Sequence, residues 1–182
     1  DARGDSTVIA TNCTMTSNSA KDGGAFVAMD YSTVITTDCT MPANFAVLGG
    51  AVYAQDDSTV ITTNCTMTSN SATWGGVVYA QDDSTVITTN CTMTANSALM
   101  GGAFFVRDNS IVTATDCTMT SNFAVLGGGA VYTRGSIYAE GSVHTSVQLT
   151  IADSDMSLNR ADDEVPCCCV FIPICSCLSS CV

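Results

Sequence analysis

The chain has 182 residues, of which 46% are hydrophobic and only 12% charged, about half the charged share of an ordinary soluble domain. Seventeen acids against five Lys and Arg give a formal charge of −12, which excludes a surface that gathers nucleic-acid phosphates by counterion release. A single His, His144, and a single Lys, Lys21, leave few side chains for acid–base or nucleophilic catalysis.

Asp1 to Asp5 carries neither a basic segment nor an apolar run, so this end reads as a processed chain or an excised fragment. Beyond it, one offset of 26 residues organises the chain. Val8, Val34, Val60, Val86 and Val112 share it, as do Cys13, Cys39, Cys65, Cys91 and Cys117, then Asn18, Asn44, Asn70, Asn96 and Asn122. Gly pairs starting at Gly23, Gly49, Gly75, Gly101 and Gly127 complete each unit. The units are rich in Thr, Val, Ile and Ser, and their apolar residues alternate, as in Cys65-Thr66-Met67-Thr68, so each predicts two or three short strands separated by Asn, Asp and Gly turns. Five regular units reach to about residue 133, and an insertion that includes Gly129 follows over about 132–148. A sixth unit, Leu149 to Ala161, places Ser154 in the Cys column, Met156 in the Met column and Asn159 in the Asn column.

Such a unit cannot bury its own apolar face, whereas stacking with parallel pairing closes a continuous core. The expected fold is therefore all-β: a parallel solenoid over 1–164 with about six coils, followed by a different segment at 165–182. At roughly 4.8 Å per coil, every column becomes a ladder of like residues.

Gly49 to Ala72, GGAVYAQDDSTVITTNCTMTSNSA, resembles the polymorphic outer membrane protein repeat, with its Gly-Gly-Ala-Ile and Phe-x-x-Asn motifs. The Gly-Gly-Ala half stands at Gly23 to Ala25, Gly49 to Ala51, Gly101 to Ala103 and Gly128 to Ala130, and becomes Gly75-Gly76-Val77 in the third unit. Met15, Met41, Met67, Met93 and Met119 replace the Phe. The resemblance implies a right-handed coil of the kind found in bacterial autotransporter passengers and surface proteins, and it implies no enzyme and no cofactor.

Alternation puts Cys and Met on one face and the flanking Thr on the other, so the Cys column reads as a buried ladder of reduced thiols. The Asn column reads as an inward amide ladder that fixes the register of the coils. Asn12, Asn64 and Asn90 head Asn-Cys-Thr triplets, yet Asp38 and Asp116 replace them elsewhere, which favours a turn role over glycosylation. Asp56, Asp57, Asp82 and Asp83 stack into an acidic edge that reads as a solvated turn column, with calcium binding as the weaker alternative. Two Thr ladders in the Cys-Thr-Met-Thr stretches, beginning at Thr14 and Thr16, are similar to the ice-binding face of β-solenoid antifreeze proteins.

The residues before each Gly pair are Val47-Leu48, Thr73-Trp74, Leu99-Met100 and Val125-Leu126. Stacked, Leu48, Trp74, Met100 and Leu126 form an apolar stripe: a protein or membrane contact if it faces out, or packing beneath the insertion. The final stretch, Val165 to Val182, carries no charge and holds Cys167, Cys168, Cys169, Cys175, Cys177 and Cys181, with Phe171 and Ile172 as its apolar centre. A disulfide cap and a hydrophobic docking segment are its leading readings, and acylation would anchor it to a membrane. The functional expectation is a non-catalytic structural or adhesin-like module that binds other proteins at an extracellular or cell-surface location. The alternatives are a peripheral scaffold or linker subunit of a large membrane complex, photosynthetic if the source is an alga, docked in an organelle lumen by its apolar stripe and by membrane contact through 165–182, and an ice-binding protein using the stacked Thr ladders.

Overall fold

The structure, a computed structural model, describes residues 1–134, 148–162 and 170–171. The first coil contributes β1 (Thr7–Thr11) and β2 (Phe26–Ala28). The second adds β3 (Thr33–Thr37), β4 (Phe45–Leu48) and β5 (Val52–Ala54). The third contains β6 (Thr59–Thr63), β7 (Thr66–Thr68), β8 (Ser71–Trp74) and β9 (Val78–Ala80). The fourth repeats this as β10 (Thr85–Thr89), β11 (Thr92–Thr94), β12 (Ser97–Met100) and β13 (Phe104–Arg107). The fifth has β14 (Ile111–Thr115), β15 (Phe123–Gly127) and β16 (Val131–Arg134). A sixth rung is built from β17 (Gln148–Ala152), β18 (Arg160–Ala161) and β19 (Val170–Phe171). The chain thus makes five full turns and a further rung, close to the six coils expected from the period.

All named pairings are parallel, and the strands stack into four faces. β1-β3-β6-β10-β14-β17 forms the first, β7-β11 the short second, β4-β8-β12-β15-β18 the third and β2-β5-β9-β13-β16-β19 the fourth. The β-branched Thr-Val-Ile-Thr-Thr segments suit the first face, where Val34, Val60 and Val86 point inward and Ile35, Ile61 and Ile87 outward. The corners are residues in the left-handed region. Asn64 and Asn90 (φ 53° and 51°) turn the first face into the second, and Ser69 and Ala95 (φ 56°) turn the second into the third. Gly75 and Gly101 (φ 67° and 68°) lead onto the fourth face, and the Asp56-Asp57 and Asp82-Asp83 pairs close the coil. The core between the faces stacks Val, Met, Cys and Ala columns, with Met41, Met67, Met93 and Met119 fully buried.

The fifth coil holds one extra residue, and its position differs from the sequence expectation. The register slips between Ala98 and Met100, so that Met100 faces Gly127 rather than Leu126. Gly102 N–H then donates to the Gly128 carbonyl at 3.0 Å, which makes Gly128-Gly129 the Gly pair of this coil. Gly128 (φ 64°) supplies the left-handed corner that Gly101 supplies one coil earlier, so the surplus is taken up upstream, in a bulge at Leu126-Gly127. Leu126 leaves the stripe as a result.

Candidate interaction surface

The apolar pairs before the Gly corners divide their work between two faces. Val47, Leu99 and Val125 follow an inward Ala on the third face and point outward. The next residue lies at the corner, and its side chain leans over the fourth face. Leu48, Trp74 and Met100 therefore pack against the buried column Val27, Tyr53, Tyr79 and Phe105, together with Met29 and Tyr132. This corrects the expectation of an outward stripe at Leu48, Trp74 and Met100: these side chains are half-buried in an intramolecular cluster. The outward apolar surface is instead Phe45 (51% exposed), Val47 (43%), Val125 (42%) and Leu126 (44%).

The cluster on the fourth face is an aromatic stack, which the 26-residue step brings into register. Ring centroids lie 5.6 Å apart for Tyr53–Tyr79, 5.1 Å for Tyr79–Phe105 and 5.2 Å for Phe105–Tyr132, and Trp74 stacks on Phe105 at 5.6 Å. A polar rim closes it: Tyr79 O–H donates to Gln81 Oε1 at 2.7 Å, and Arg107 Nε donates to the same oxygen at 3.1 Å. Burial, reinforced by neighbouring carboxylates, pushes the Tyr53 hydroxyl up, and burial raises Tyr79 to about 12. Two buried polar atoms here, Trp74 Nε1 and Asp22 Oδ1, have no hydrogen-bond partner among the described residues.

Inside the solenoid the Cys and Asn columns form two polar threads. Cys39, Cys65, Cys91 and Cys117 are buried free thiols, whereas Cys13, in the outermost described coil, is exposed because no rung covers it. Inward Thr36, Thr62 and Thr88 meet the thiols of the next coil, with Oγ1 to Sγ distances of 3.5–3.6 Å to Cys65, Cys91 and Cys117. The alternation that turns Val34, Val60 and Val86 inward carries Thr36, Thr62 and Thr88 inward two residues on. In the Asn thread, Asn44, Asn70, Asn96 and Asn122 are buried and Asn18 and Asn159 occupy the ends. Each Oδ1 accepts the backbone N–H of the Asn one coil before it, at 2.8–3.0 Å, from Asn18 N to Asn44 Oδ1 through to Asn122 N to Asn159 Oδ1. Asn96 Nδ2 also donates to the Met67 carbonyl at 3.0 Å.

Burial raises the Cys39 thiol, and its hydrogen-bonded neighbours Cys117 and Cys65 raise Cys91. Iodoacetamide at pH 8 is expected to modify Cys13 in the native chain and to reach Cys39, Cys65, Cys91 and Cys117 only after denaturation, read residue by residue from peptide masses. Equal labelling of all five would remove the buried ladder. For thiols and phenols raised in the folded state, the stabilisation is fully present below the unfolded pKa and is lost as pH rises through the folded value. Urea midpoints are accordingly expected to fall from about pH 8.5 through pH 12 as Cys39 and then Tyr79 come into play. A flat midpoint over that window would contradict both shifts.

The acidic edge is a corner. Asp56, Asp57, Asp82 and Asp83 all have φ between 53° and 61°, and Asp82 Oδ2 accepts from Gln81 Nε2 at 2.9 Å. Burial raises the Asp82 carboxyl, followed by repulsion from Asp108 and Asp56. Among the described residues, no group of three or more His, Cys, Asp or Glu comes together to hold a metal ion. Buried Ser32 and Ser58 fasten this corner, each Oγ donating to a carbonyl one coil away, Ala2 and Ala28, at 2.9 and 3.0 Å. Asn12, Asn64 and Asn90 are likewise left-handed turn residues, and Asn90 Nδ2 donates to Asn64 Oδ1 at 2.8 Å along an exposed amide ladder. Of the tail residues, Val170–Phe171 pairs with β16, Phe171 opposite Tyr132. Ile172 and Cys167, Cys168, Cys169, Cys175, Cys177 and Cys181 lie outside the described residues. Among the described residues, no helix is long and apolar enough to cross a membrane.

A stacked, parallel, 26-residue coil with inward Val, Met and Asn columns defines a class of protein. Residues 1–144 match the family model for the right-handed β-helix region, and the chain belongs to that family. No curated protein and no solved structure matches it.

Proposed function

We propose that this β-helix is a non-catalytic module of the polymorphic outer membrane protein type, which presents a rigid, repeated surface to other proteins at a cell surface. One observation carries the reading: an outward apolar surface at Phe45, Val47, Val125 and Leu126, on a face whose strands β4, β8, β12 and β15 hold no charged residue in a chain of net charge −12. Over β1, β3, β6, β10 and β14 the outward columns of the first face consist of Thr and Ile, groups suited to contact rather than to acid–base or nucleophilic chemistry. The Pmp-type character rests on the Gly-Gly-Ala corners with Met ahead of Asn, and surface location on the same resemblance.

A second reading has its own observation. Thr33, Ile35 and Thr37 repeat in register as Thr59, Ile61 and Thr63 and as Thr85, Ile87 and Thr89, forming an uncharged three-column array on a broader face than the Cys-Thr-Met-Thr ladders. Such an array fits ordered water, and it keeps the ice-binding alternative in view.

One experiment separates the two. The immobilised wild-type chain and the Phe45→Ser/Val125→Ser variant are compared for retention of proteins from a cell-surface extract of the source, and both are assayed for thermal hysteresis. The contact reading expects retained protein to fall at least tenfold in the variant, with no hysteresis in either chain. Equal retention overturns it, and hysteresis in both transfers the function to the first face.

A further inference from the structure

The third face carries two outward columns that read nearly the same from either end. Pairing Ser19 with Phe45, Phe45 with Ser71, Ser71 with Ser97, Ser97 with Phe123 and Phe123 with Arg160 gives the column Ser19, Phe45, Ser71, Ser97, Phe123, Arg160. Its neighbour is fixed by Val47 N–H donating to the Lys21 carbonyl and Asp162 N–H to the Ala124 carbonyl, and runs Lys21, Val47, Thr73, Leu99, Val125, Asp162. The midpoint of both lies between the third and fourth coils. The ends of the second column carry opposite charges: Lys21, the chain's single lysine, on the first coil and Asp162 on the sixth, both exposed, with Asp162 also ion-paired to Arg160 of the first column.

An arrangement of that kind is self-complementary under one operation. A two-fold axis lying in the face, parallel to the strands and between the third and fourth coils, leaves each column opposite itself and reverses the order of the coils. It sets Phe45 against Phe123 of the second copy, Val47 against Val125, Thr73 against Leu99 and Lys21 against Asp162, with every contact made twice. A two-fold along the solenoid, between the columns, would instead keep the coils in the same order and face the first column with the second, setting Asp162 against Arg160 but Lys21 against Ser19, with no opposite charge for the lysine.

We infer that the third face binds a second copy of this chain, with the two solenoids antiparallel about that axis. The inference rests on the reading of this face as a protein-contact surface and names the partner. Elsewhere the acids line the corners, as at Asp56 to Asp57 and Asp82 to Asp83, so the strands of the third face bring two strongly negative chains together with least repulsion. Six rungs of about 4.8 Å by four residues of about 3.3 Å give roughly 380 Å² of flat area per copy, below the ~800 Å² per partner of a standard complex. The dimer is therefore weak and concentration-dependent, with a dissociation constant on the order of 100 µM.

Sedimentation equilibrium of the full chain from about 5 µM to about 1 mM, chosen to span that constant, is expected to show a monomer–dimer equilibrium. Val47→Asp and Val125→Lys, each at an exposed position, are each expected to weaken it at least tenfold, and native far-UV dichroism with unreactive Cys91 shows that each variant is folded. Combining both substitutions in one chain then restores the dimer, because each Asp meets the Lys of the other copy. A wild-type chain that stays monomeric to 1 mM overturns the inference, and so does a dimer that the double substitution fails to restore. A monomeric chain that still loses retained partners on Phe45→Ser/Val125→Ser leaves the contact surface standing and removes only the second copy as its occupant.

Discussion

Replacing Asn96 with Leu is expected to destabilise the solenoid by about 4–6 kcal/mol, among the largest effects available to a single substitution. Four hydrogen bonds disappear together. Asn96 Oδ1 accepts from Asn70 N at 2.8 Å and from Asn70 Nδ2 at 3.1 Å, while Asn96 Nδ2 donates to the Met67 carbonyl at 3.0 Å and to Asn122 Oδ1 at 2.9 Å. Leu matches the volume but leaves the Asn70 donors and the Met67 carbonyl buried and unpaired, at roughly 1–3 kcal/mol for each group. Asn96→Asp restores the acceptor and not the donor, and places a charge where no cation stands opposite it. The exposed Asn90→Asp, at a corner where Asp38 and Asp116 already serve, is expected to stay within about 0.5 kcal/mol. Urea unfolding measures both, and alkylation of Cys91 reports whether the third and fourth coils have separated. A loss below about 1 kcal/mol for Asn96→Leu would show that the ladder contributes register without stability.

Gly76→Ala is expected to cost at least about 3 kcal/mol, for a reason with no polar component. A Cβ built on Gly76 lies 2.2 Å from the Gly102 carbonyl oxygen, 2.9 Å from the Ser97 oxygen and 3.0 Å from the Ser97 nitrogen. All three are backbone atoms of the next coil. None can retreat without breaking in-register pairing on the adjacent faces, so the strain is not relieved by a side-chain rotation. Gly75 fails for a second reason, since it combines φ of 67° with a Cβ 2.1 Å from the Val78 oxygen. The contrast is Gly4→Ala, where nothing lies within 4 Å and only the left-handed backbone is strained, at about 1 kcal/mol. Thermal midpoints of the two Ala variants check the difference, and equal midpoints would mean that the coils separate more easily than their pairing implies.

Much of this was legible along the chain because a repeat repeats its environment. Asn44, Asn70 and Asn96 recur at one offset, parallel stacking places like on like, and an amide that must be satisfied between coils takes the same partner each time. The Asn and Asp corners were equally readable from their tolerance of positive φ. The Ser69 and Ala95 corners were not, since Ala in the left-handed region has no chemical signature. Inward Thr36, Thr62 and Thr88 follow by alternation from inward Val34, Val60 and Val86, but the adjacent Ile35, Ile61 and Ile87 are equally apolar, so the strand sequence alone does not say which set faces the core.

The period, the parallel stacking and the inward Met, Cys and Asn columns followed from the 26-residue spacing and its alternation, because like residues at a fixed offset satisfy one another only when the coils lie in register. The exposed surface was settled by three-dimensional packing. Val47 and Leu48 are adjacent and similarly apolar, yet Val47 stands on the third face while Leu48 leans onto an aromatic stack created by coils on either side. The slip that expels Leu126 is a step in pairing offset from 26 to 27 residues between β12 and β15, and the placement of Asp162 in the Lys21 column depends on an offset of 37 residues at the end of the solenoid. Periodicity determines which residues share a column, but corner geometry and bulges, which arise from backbone contacts between coils, decide which column meets water.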